Sequence, residues 1–227
     1  MGGREPVVTI DGPAGAGKST VARRLAERLG YRLLDTGAMY RAVAWSVERA
    51  GLAAEDTLEL RRHLASLEIE LEPMDARVRV NGRDVTAEIR TPSISALSSR
   101  LSTLPVVRDK VTPIQRRLAA AGGTILEGRD TGTVVCPEAE VKFYLDASLE
   151  ERARRRQADL RRGGSVLDLD VVRGEIGRRD RQDTSRALAP LAKAPDAIVV
   201  DTSDLSVEQV VERMRDAIER RRCCTRS

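Results

Sequence analysis

Aromatic residues and cysteine are scarce in this sequence, and each shortage excludes a class of function. Three tyrosines, one phenylalanine and one tryptophan make up 2% of 227 residues, so few rings are available for nucleic-acid bases to stack on. Three cysteines, Cys136, Cys223 and Cys224, fit neither a disulfide framework nor a metal-binding spacing. We therefore expect no nucleic-acid partner, and we expect the adjacent pair in the arginine-rich tail to be exposed and reduced.

The sequence also has little histidine and no long hydrophobic run. Its single histidine, His63, lies in a helical pattern where a surface position is expected, so chemistry that needs a catalytic histidine has one poorly placed candidate. No apolar run approaches the ~18 residues of a membrane span, and no signal peptide precedes Pro6. These absences predict a cytoplasmic protein without a membrane partner.

A complete phosphate-loop motif stands between an apolar run and an amphipathic helical pattern, as Gly12-Pro13-Ala14-Gly15-Ala16-Gly17-Lys18-Ser19-Thr20. Small residues let backbone N–H groups turn inward around a phosphate, and the helix N-terminus adds partial positive charge. Lys18 can then reach the β- and γ-phosphates, and the Ser19 hydroxyl can bind the Mg²⁺ that accompanies ATP. The motif predicts a nucleoside triphosphate site over residues 12–20.

Five short apolar runs predict buried parallel strands, because continuous apolarity without alternation is typical of strands that are covered on both faces. They are Val7–Ile10, Tyr31–Leu34, Thr124–Leu126, Val141–Leu145 and Ala197–Val200. Helical patterns separate most of them, which indicates one α/β domain with a doubly wound, five-stranded parallel sheet. Its core is expected over about 6–35, 123–147 and 196–222. Ionisable residues follow several strands, including Asp35 and Glu127, and predict a site at one edge of the sheet.

Two segments fall outside this alternation. Residues 67–90 alternate in polarity around Asn81-Gly82 and predict a small antiparallel β insert. Residues 150–186 are rich in arginine around Gly163-Gly164 and predict two basic helices joined by a flexible turn. This pair is either a lid over the phosphate site or a solvated helical surface. Pro113 interrupts a helical pattern and predicts a kink or break near Thr112.

Other phosphate-loop proteins fit the sequence less well than a small-molecule kinase. A GTPase switch needs a guanine-reading [NT]-K-x-D motif, but the only asparagine is Asn81 and no lysine stands in that context. Larger ATPases normally need a longer chain. A kinase with a basic lid fits the size and the arginine content, with 39 Lys and Arg residues of which four are lysines.

The motifs resemble those of bacterial cytidylate kinases, in the nucleoside monophosphate kinase superfamily, from about residue 6 to about residue 220. The matching segments are Thr9–Thr20, Leu34–Arg41, Glu88–Thr91, Glu127–Val135, Phe143–Ser148 and Arg179–Arg186. The resemblance implies transfer of the γ-phosphoryl group of MgATP to CMP or dCMP by a monomer. It also implies a monophosphate-binding region over about 36–122 that contains the β insert, and a lid over about 150–186.

The resemblance further implies roles for individual residues. It implies a CMP site whose phosphate is bound by Tyr40, Arg41, Arg129 and Arg186. The residues implied to face the cytosine are Ser99, Arg108 and Asp130. The sugar is implied to lie near Arg179 and Asp183, with Thr36 close to the same site. The expected catalytic residues are Lys18, Arg129, Arg156 and Arg186, where Arg156 is chosen among Arg154, Arg155 and Arg156. Three alternatives stay open here: an acceptor such as AMP, UMP or shikimate, a catalytically idle nucleotide-binding module, and an Asp130 that only pairs with Arg129 or caps a turn.

Overall fold

A computed structural model of the protein describes residues 4–72 and 77–224. The strands are β1 (Val7–Asp11), β2 (Arg32–Asp35), β3 (Ile69–Glu72), β4 (Arg77–Val80), β5 (Arg83–Asp84), β6 (Thr124–Glu127), β7 (Val141–Asp146) and β8 (Ile198–Asp201). The α-helices are α1 (Lys18–Leu29), α2 (Thr36–Arg49), α3 (Leu58–Ser66), α4 (Pro92–Leu101), α5 (Pro105–Ala119), α6 (Leu149–Arg162), α7 (Leu169–Ser185) and α8 (Val207–Cys224). Short helical turns cover Glu88–Arg90 and Thr131–Val135.

The main sheet is parallel, and its strand order is β2-β6-β1-β7-β8. Alternate residues of the central strand β1 enter different halves of the core. Val7 packs in a cluster with α2 and α5, whereas Val8 and Ile10 pack in a cluster with α1 and α8. Both faces of the central strand are therefore covered, which explains its continuous apolarity and, with the parallel strand order, confirms the predicted doubly wound α/β fold. The edge strand β8 differs, because its Ile198 and Val199 side chains are exposed, so the prediction of a buried strand there is wrong.

The phosphate loop connects β1 to α1 through glycines that no other residue could replace easily. Gly12 has a φ of +147°, and a Cβ atom there would lie 2.0 Å from the carbonyl oxygen of Leu145. Gly17 has a φ of +85° immediately before α1. The loop can therefore run close to the end of β7 and still turn its N–H groups into the helix N-terminus.

A second, three-stranded antiparallel sheet, in the order β3-β4-β5, corresponds to the predicted β insert. Asn81 and Gly82 form its first described turn, with φ values of 49° and 76°. Both values lie in the left-handed region that asparagine and glycine tolerate best.

The arginine-rich segment forms the two predicted helices, α6 and α7, on either side of Gly163-Gly164. The hydroxyl of Ser148 begins α6 by accepting a hydrogen bond from the Glu151 N–H at 3.2 Å. Gly164 lies in the left-handed region with a φ of +83°. Glycine adopts this conformation without a steric penalty, and the flexibility of the turn stays a prediction.

Two local expectations need correction. Helix α5 continues through Pro113, so a break near Thr112 does not occur, and the alternative of a kink there stays a prediction. The proline removes one hydrogen bond, to the carbonyl of the exposed Asp109, while the fully buried Val107 and Val111 hold the helix against the core. His63 is half-buried, not at the surface, and its Nε2 lies 2.7 Å from the Ser46 hydroxyl.

The side chains of Cys223 and Cys224 lie outside the described part of the structure, so their predicted exposure stays a prediction. Among the described residues, none of the helices has both the length and the apolarity needed to cross a membrane.

Candidate active site

The phosphate loop places the Lys18 ammonium in a buried position close to other cations. Its Nζ donates a hydrogen bond to the Pro13 carbonyl at 2.7 Å. Burial lowers the pKa of Lys18 well below its ordinary value, and repulsion from Arg129 and Arg179 lowers it further, against attraction by Glu127. Lys18 thus has little solvation and forms no ion pair with any residue that the structure describes, and an anion brought beside it would stabilise its charged form.

The carboxyl end of β6 carries a buried carboxylate next to the phosphate loop. Burial, with repulsion from Asp35 second, raises the pKa of Glu127 to about 7, although the Ser19 hydroxyl, Lys18 and Arg41 all favour the ionised form. The Thr36 hydroxyl donates to the Glu127 carbonyl at 2.6 Å. The ends of β2 and β6 are thereby joined beside Ser19.

Asp11 holds the segment after β6 in place. Its carboxylate accepts hydrogen bonds from the Thr131 N–H at 2.9 Å, the Thr131 hydroxyl at 2.9 Å and the Gly132 N–H at 2.8 Å. These bonds tie the end of β1 to the turn that follows Arg129 and Asp130. The last residue of β1 therefore positions two predicted site residues that are distant in sequence.

Four basic side chains lie close enough to Arg179 to interact with it by repulsion, and with Arg179 we call them the cationic cluster. The cluster consists of Lys18, Arg41, Arg129, Arg156 and Arg179. Part of Arg179 is exposed, yet desolvation of its guanidinium and repulsion from Arg129 lower its pKa to about 10. Arg129 donates to Asp183 at 2.8 Å, whereas no ion pair involves Arg179 within the described ranges.

A buried ion pair lies beyond the cationic cluster. Arg108 on α5 pairs with Asp130, and both side chains are almost completely buried. The Arg108 guanidinium lies 5.8 Å from the centre of the Tyr40 ring. Asp130 therefore pairs with Arg108, which differs from the alternative that joins it to Arg129.

Arg186 lies beside this pair, where desolvation lowers its pKa and Asp130 and Asp183 attract it. Its Nε donates to the Ala189 carbonyl at 2.5 Å, and its Nη2 is buried without a hydrogen-bond partner in the described part of the chain. That orphaned donor could bind an anion. Ser99 is half-buried on α4, and its hydroxyl contacts neither Arg108 nor Asp130 through a hydrogen bond in the described structure.

The three candidate lid arginines have different surroundings. Arg154 is exposed and pairs with Glu150 and Glu151. Arg155 donates to the Thr202 carbonyl at 2.6 Å, which fixes it beside the phosphate loop. Arg156 is exposed and close enough to Arg179 to lower its pKa. Arg156 is therefore the one of the three that adds its charge to the cationic cluster.

The structure thus brings most of the predicted site residues to one edge of the sheet. The sequence marks Asp35 and Glu127 only as polar residues that follow strands and predicts no role for them beside Ser19. It predicts no role for Asp11 either, although the matching segment Thr9–Thr20 contains it. The signal that could have found them is the meeting of strand ends in a parallel sheet.

The sequence model of the family described as Cytidylate kinase matches residues 8–220. Cytidylate kinases of Geobacter sulfurreducens and Syntrophotalea carbinolica are 49% and 48% identical to this chain. The alignments cover 99% and 97% of this chain, and 97% and 95% of those proteins.

Solved structures with the same fold are more distant in sequence. An uncharacterized protein from Eubacterium ventriosum has a TM-score of 0.53 at 12% identity, covering 95% of this chain and 99% of its own. Shikimate kinase from Bacteroides thetaiotaomicron has a TM-score of 0.50 at 13% identity, covering 94% and 98%. At these identities the likeness concerns the fold alone.

The raised pKa of Glu127 predicts a pH-dependent effect of Glu127→Gln on stability. A carboxyl whose pKa rises from 4.5 to about 7 on folding contributes stability that is complete below pH 4.5 and lost as the pH rises to 7. The Glu127→Gln variant has no carboxyl at this position, so its stability does not fall with pH for this reason. In urea unfolding, the free energy of unfolding of the variant relative to that of the wild type should therefore rise by on the order of 3 kcal/mol between pH 4.5 and pH 8. An equal difference at both pH values would contradict the assignment.

Proposed function

This chain belongs to the cytidylate kinase family, and on that premise we propose that it transfers the γ-phosphoryl group of ATP to CMP or dCMP, giving ADP and CDP or dCDP. The observation that supports this most directly is the cationic cluster, which includes Lys18 of the phosphate loop and is accompanied by the buried Arg108–Asp130 pair. One side of the cluster suits the phosphates of ATP. The other side suits a monophosphate whose base reaches Arg108 and Asp130.

The chemistry requires charge neutralisation more than proton transfer. The acceptor is a phosphate oxygen whose second pKa is ~6, so it is mostly ionised near neutral pH and needs no general base. The obstacle is repulsion between two phosphate groups. Lys18 and the arginines of the cationic cluster would offset it, since guanidinium groups stay protonated and bind phosphate oxygens in pairs. Catalysis then consists of positioning and electrostatic stabilisation of the transferring group.

Ser19 is the residue that we propose to hold the Mg²⁺ of MgATP. Its hydroxyl lies beside the Glu127 carboxyl, and oxygen ligands are those that Mg²⁺ prefers. When bound, Mg²⁺ neutralises charge on the phosphate oxygens.

Different residues of the proposed site are assigned to the phosphate and to the sugar of CMP. We assign Tyr40, Arg41, Arg129 and Arg186 to the monophosphate, Arg179 and Asp183 to the sugar, and Thr36 to the edge of the same site. The buried and unpartnered Nη2 of Arg186 supports its assignment. The Arg129–Asp183 pair supports a link between the phosphate and sugar positions.

We assign the base to Arg108, Asp130 and Ser99. The Asp130 carboxylate can accept from the cytosine amino group, and Arg108 can donate to an acceptor on the ring. Their mutual ion pair keeps both charges compensated before the base arrives. The assignment of Ser99 to the base site rests on the family resemblance alone.

Helices α6 and α7 are the proposed lid, with Arg156 as the arginine that reaches ATP. Closure would exclude water and so suppress wasteful hydrolysis. The division into core, monophosphate-binding region and lid stays a prediction, as do the monomeric state and the cytoplasmic location.

Lys18→Ala should lower kcat by about 10²-fold or more, because it removes a charge that stabilises the transition state. The measurement is ADP release in a coupled assay with CMP, with circular dichroism to show that the fold is kept. Lys193→Ala is the control, because Lys193 is exposed and lies outside the proposed site. A folded Lys18→Ala protein with near-normal kcat would contradict the phosphate-loop assignment.

Asp130→Asn should weaken discrimination between cytosine and uracil. A carboxylate accepts from the cytosine amino group but opposes the uracil O4, so the wild type should prefer CMP over UMP by ~10²-fold or more in kcat/KM. An amide can rotate to donate to O4, so the variant should lose much of this preference.

The comparison needs kcat/KM for CMP and UMP on three proteins: wild type, Asp130→Asn and Asp109→Asn. Asp109 is an exposed carboxylate next to Arg108 in sequence, and its replacement should leave the ratio unchanged. An unchanged ratio in Asp130→Asn would remove Asp130 from the base site. A wild-type preference for UMP would overturn the substrate assignment.

A further inference from the structure

Helices α6 and α7 bind the phosphate loop through both backbone groups of Ala14. The Ala14 N–H donates to Asp180 Oδ1 at 3.2 Å, and the Ala14 carbonyl accepts from Arg152 Nη1 at 3.0 Å. Asp180 lies on α7 and Arg152 on α6, and the two side chains form an ion pair with each other. Ala14 of the loop, Arg152 of α6 and Asp180 of α7 are therefore all joined to one another, and we call these three residues the loop anchor.

Arg152 joins three parts of the chain with one guanidinium group. Besides its contacts to Ala14 and Asp180, its Nε donates to the Ala147 carbonyl at 3.0 Å, at the junction between β7 and α6. The side chain is nine-tenths buried. A planar guanidinium can serve three acceptors in fixed directions, which an ammonium group on a flexible chain cannot reproduce.

Apolar contacts surround the loop anchor. Ala14 packs in a small cluster with Ala153, Val172 and Ile176 from the two helices. The approach at the next residue is close as well, since a Cβ atom at Gly15 would lie 3.0 Å from both Cβ and the carbonyl oxygen of Arg152. The opposite end of the helix pair differs, because Val166, between the helices, is strongly exposed.

We propose that Asp180 and Arg152 are positioning residues for the ATP site: they fix the tip of the phosphate loop at Ala14 and anchor the base of the helix pair to it. The proposal rests on the proposed function, because it takes the phosphate loop as the site of ATP. A loop whose N–H groups are already oriented loses less conformational entropy when it binds phosphate. Since Arg152 compensates the charge of Asp180, the carboxylate can hold Ala14 without strongly repelling the nucleotide. Any lid movement then occurs beyond this anchor, towards Gly163-Gly164.

The test compares Asp180→Ala, Asp180→Asn and the control Asp159→Ala. Asp159 forms a similar pair with Arg162 at 2.6 Å, but on an exposed face of α6 away from the phosphate loop. Titration calorimetry measures the dissociation constants of MgATP and of CMP separately. Hydrogen exchange of the ligand-free proteins measures how fast the backbone amides of residues 12–20 exchange, and thus how well ordered the phosphate loop is.

Asp180→Ala should weaken MgATP binding by about tenfold or more and speed exchange in residues 12–20 by a similar factor, because hydrogen bonds to a charged group are lost. CMP binding should stay within about twofold, which a general loss of structure would not allow. The MgATP affinity and the exchange rate of Asp180→Asn should lie between those of the wild type and Asp180→Ala. Its amide oxygen can still accept from the Ala14 N–H, but the ion pair with Arg152 is lost. Asp159→Ala should match the wild type.

Wild-type MgATP affinity and wild-type exchange in residues 12–20 of Asp180→Ala would overturn the proposal. If Asp180→Ala does not fold, Asp180→Asn decides by the same two measurements, with wild-type values again overturning it. None of these measurements requires phosphoryl transfer. A chain that binds MgATP through the anchored loop but transfers nothing to CMP would therefore contradict the proposed function and leave this inference standing.

Discussion

Repulsion among basic side chains at the carboxyl edge of the parallel sheet is the constraint on which the site depends. Lys18 is buried, Arg129 and Arg179 lie close to it, and the pKa values of Lys18 and Arg179 are both lowered by desolvation and by this proximity. Only a rigid scaffold keeps such groups together without their anions. Under the proposed function this repulsion favours phosphate binding, because each bound phosphate would reduce the repulsion as well as add attraction.

The scaffold balances these cations with a few carboxylates that do not neutralise the site. Asp183 binds Arg129, and Asp130 binds Arg108, while both carboxylates also attract Arg186. Asp11 attracts Lys18 but forms no ion pair among the residues that the structure describes. It accepts three hydrogen bonds from the turn after β6 and thereby holds the segment that carries Arg129 and Asp130. The arrangement keeps a net positive charge where two phosphate groups would meet.

Local signals in the sequence predicted the parts of this structure that depend on local physics. The phosphate loop, the five parallel strands, the Asn81-Gly82 turn and the two helices around Gly163-Gly164 each follow from residues that are close in sequence. The strand order and the partner of Asp130 could not be read in the same way, because Arg108 and Asp130 meet only after the helices have packed. The contacts among Ala14, Arg152 and Asp180 join positions far apart in sequence and carry no local pattern. Pro113 shows the converse, since buried neighbours on α5 overrode a strong local signal.

The central claim is that this arrangement brings the phosphates of ATP to a cytosine monophosphate. The most direct test is ADP release by the wild-type protein with MgATP and one acceptor at a time: CMP, dCMP, UMP, AMP or shikimate, with a reaction without acceptor as reference. The account predicts rapid ADP release with CMP or dCMP, much slower release with the other three, and little without an acceptor. Release that is independent of acceptor, or that is fastest with AMP or shikimate, would contradict it.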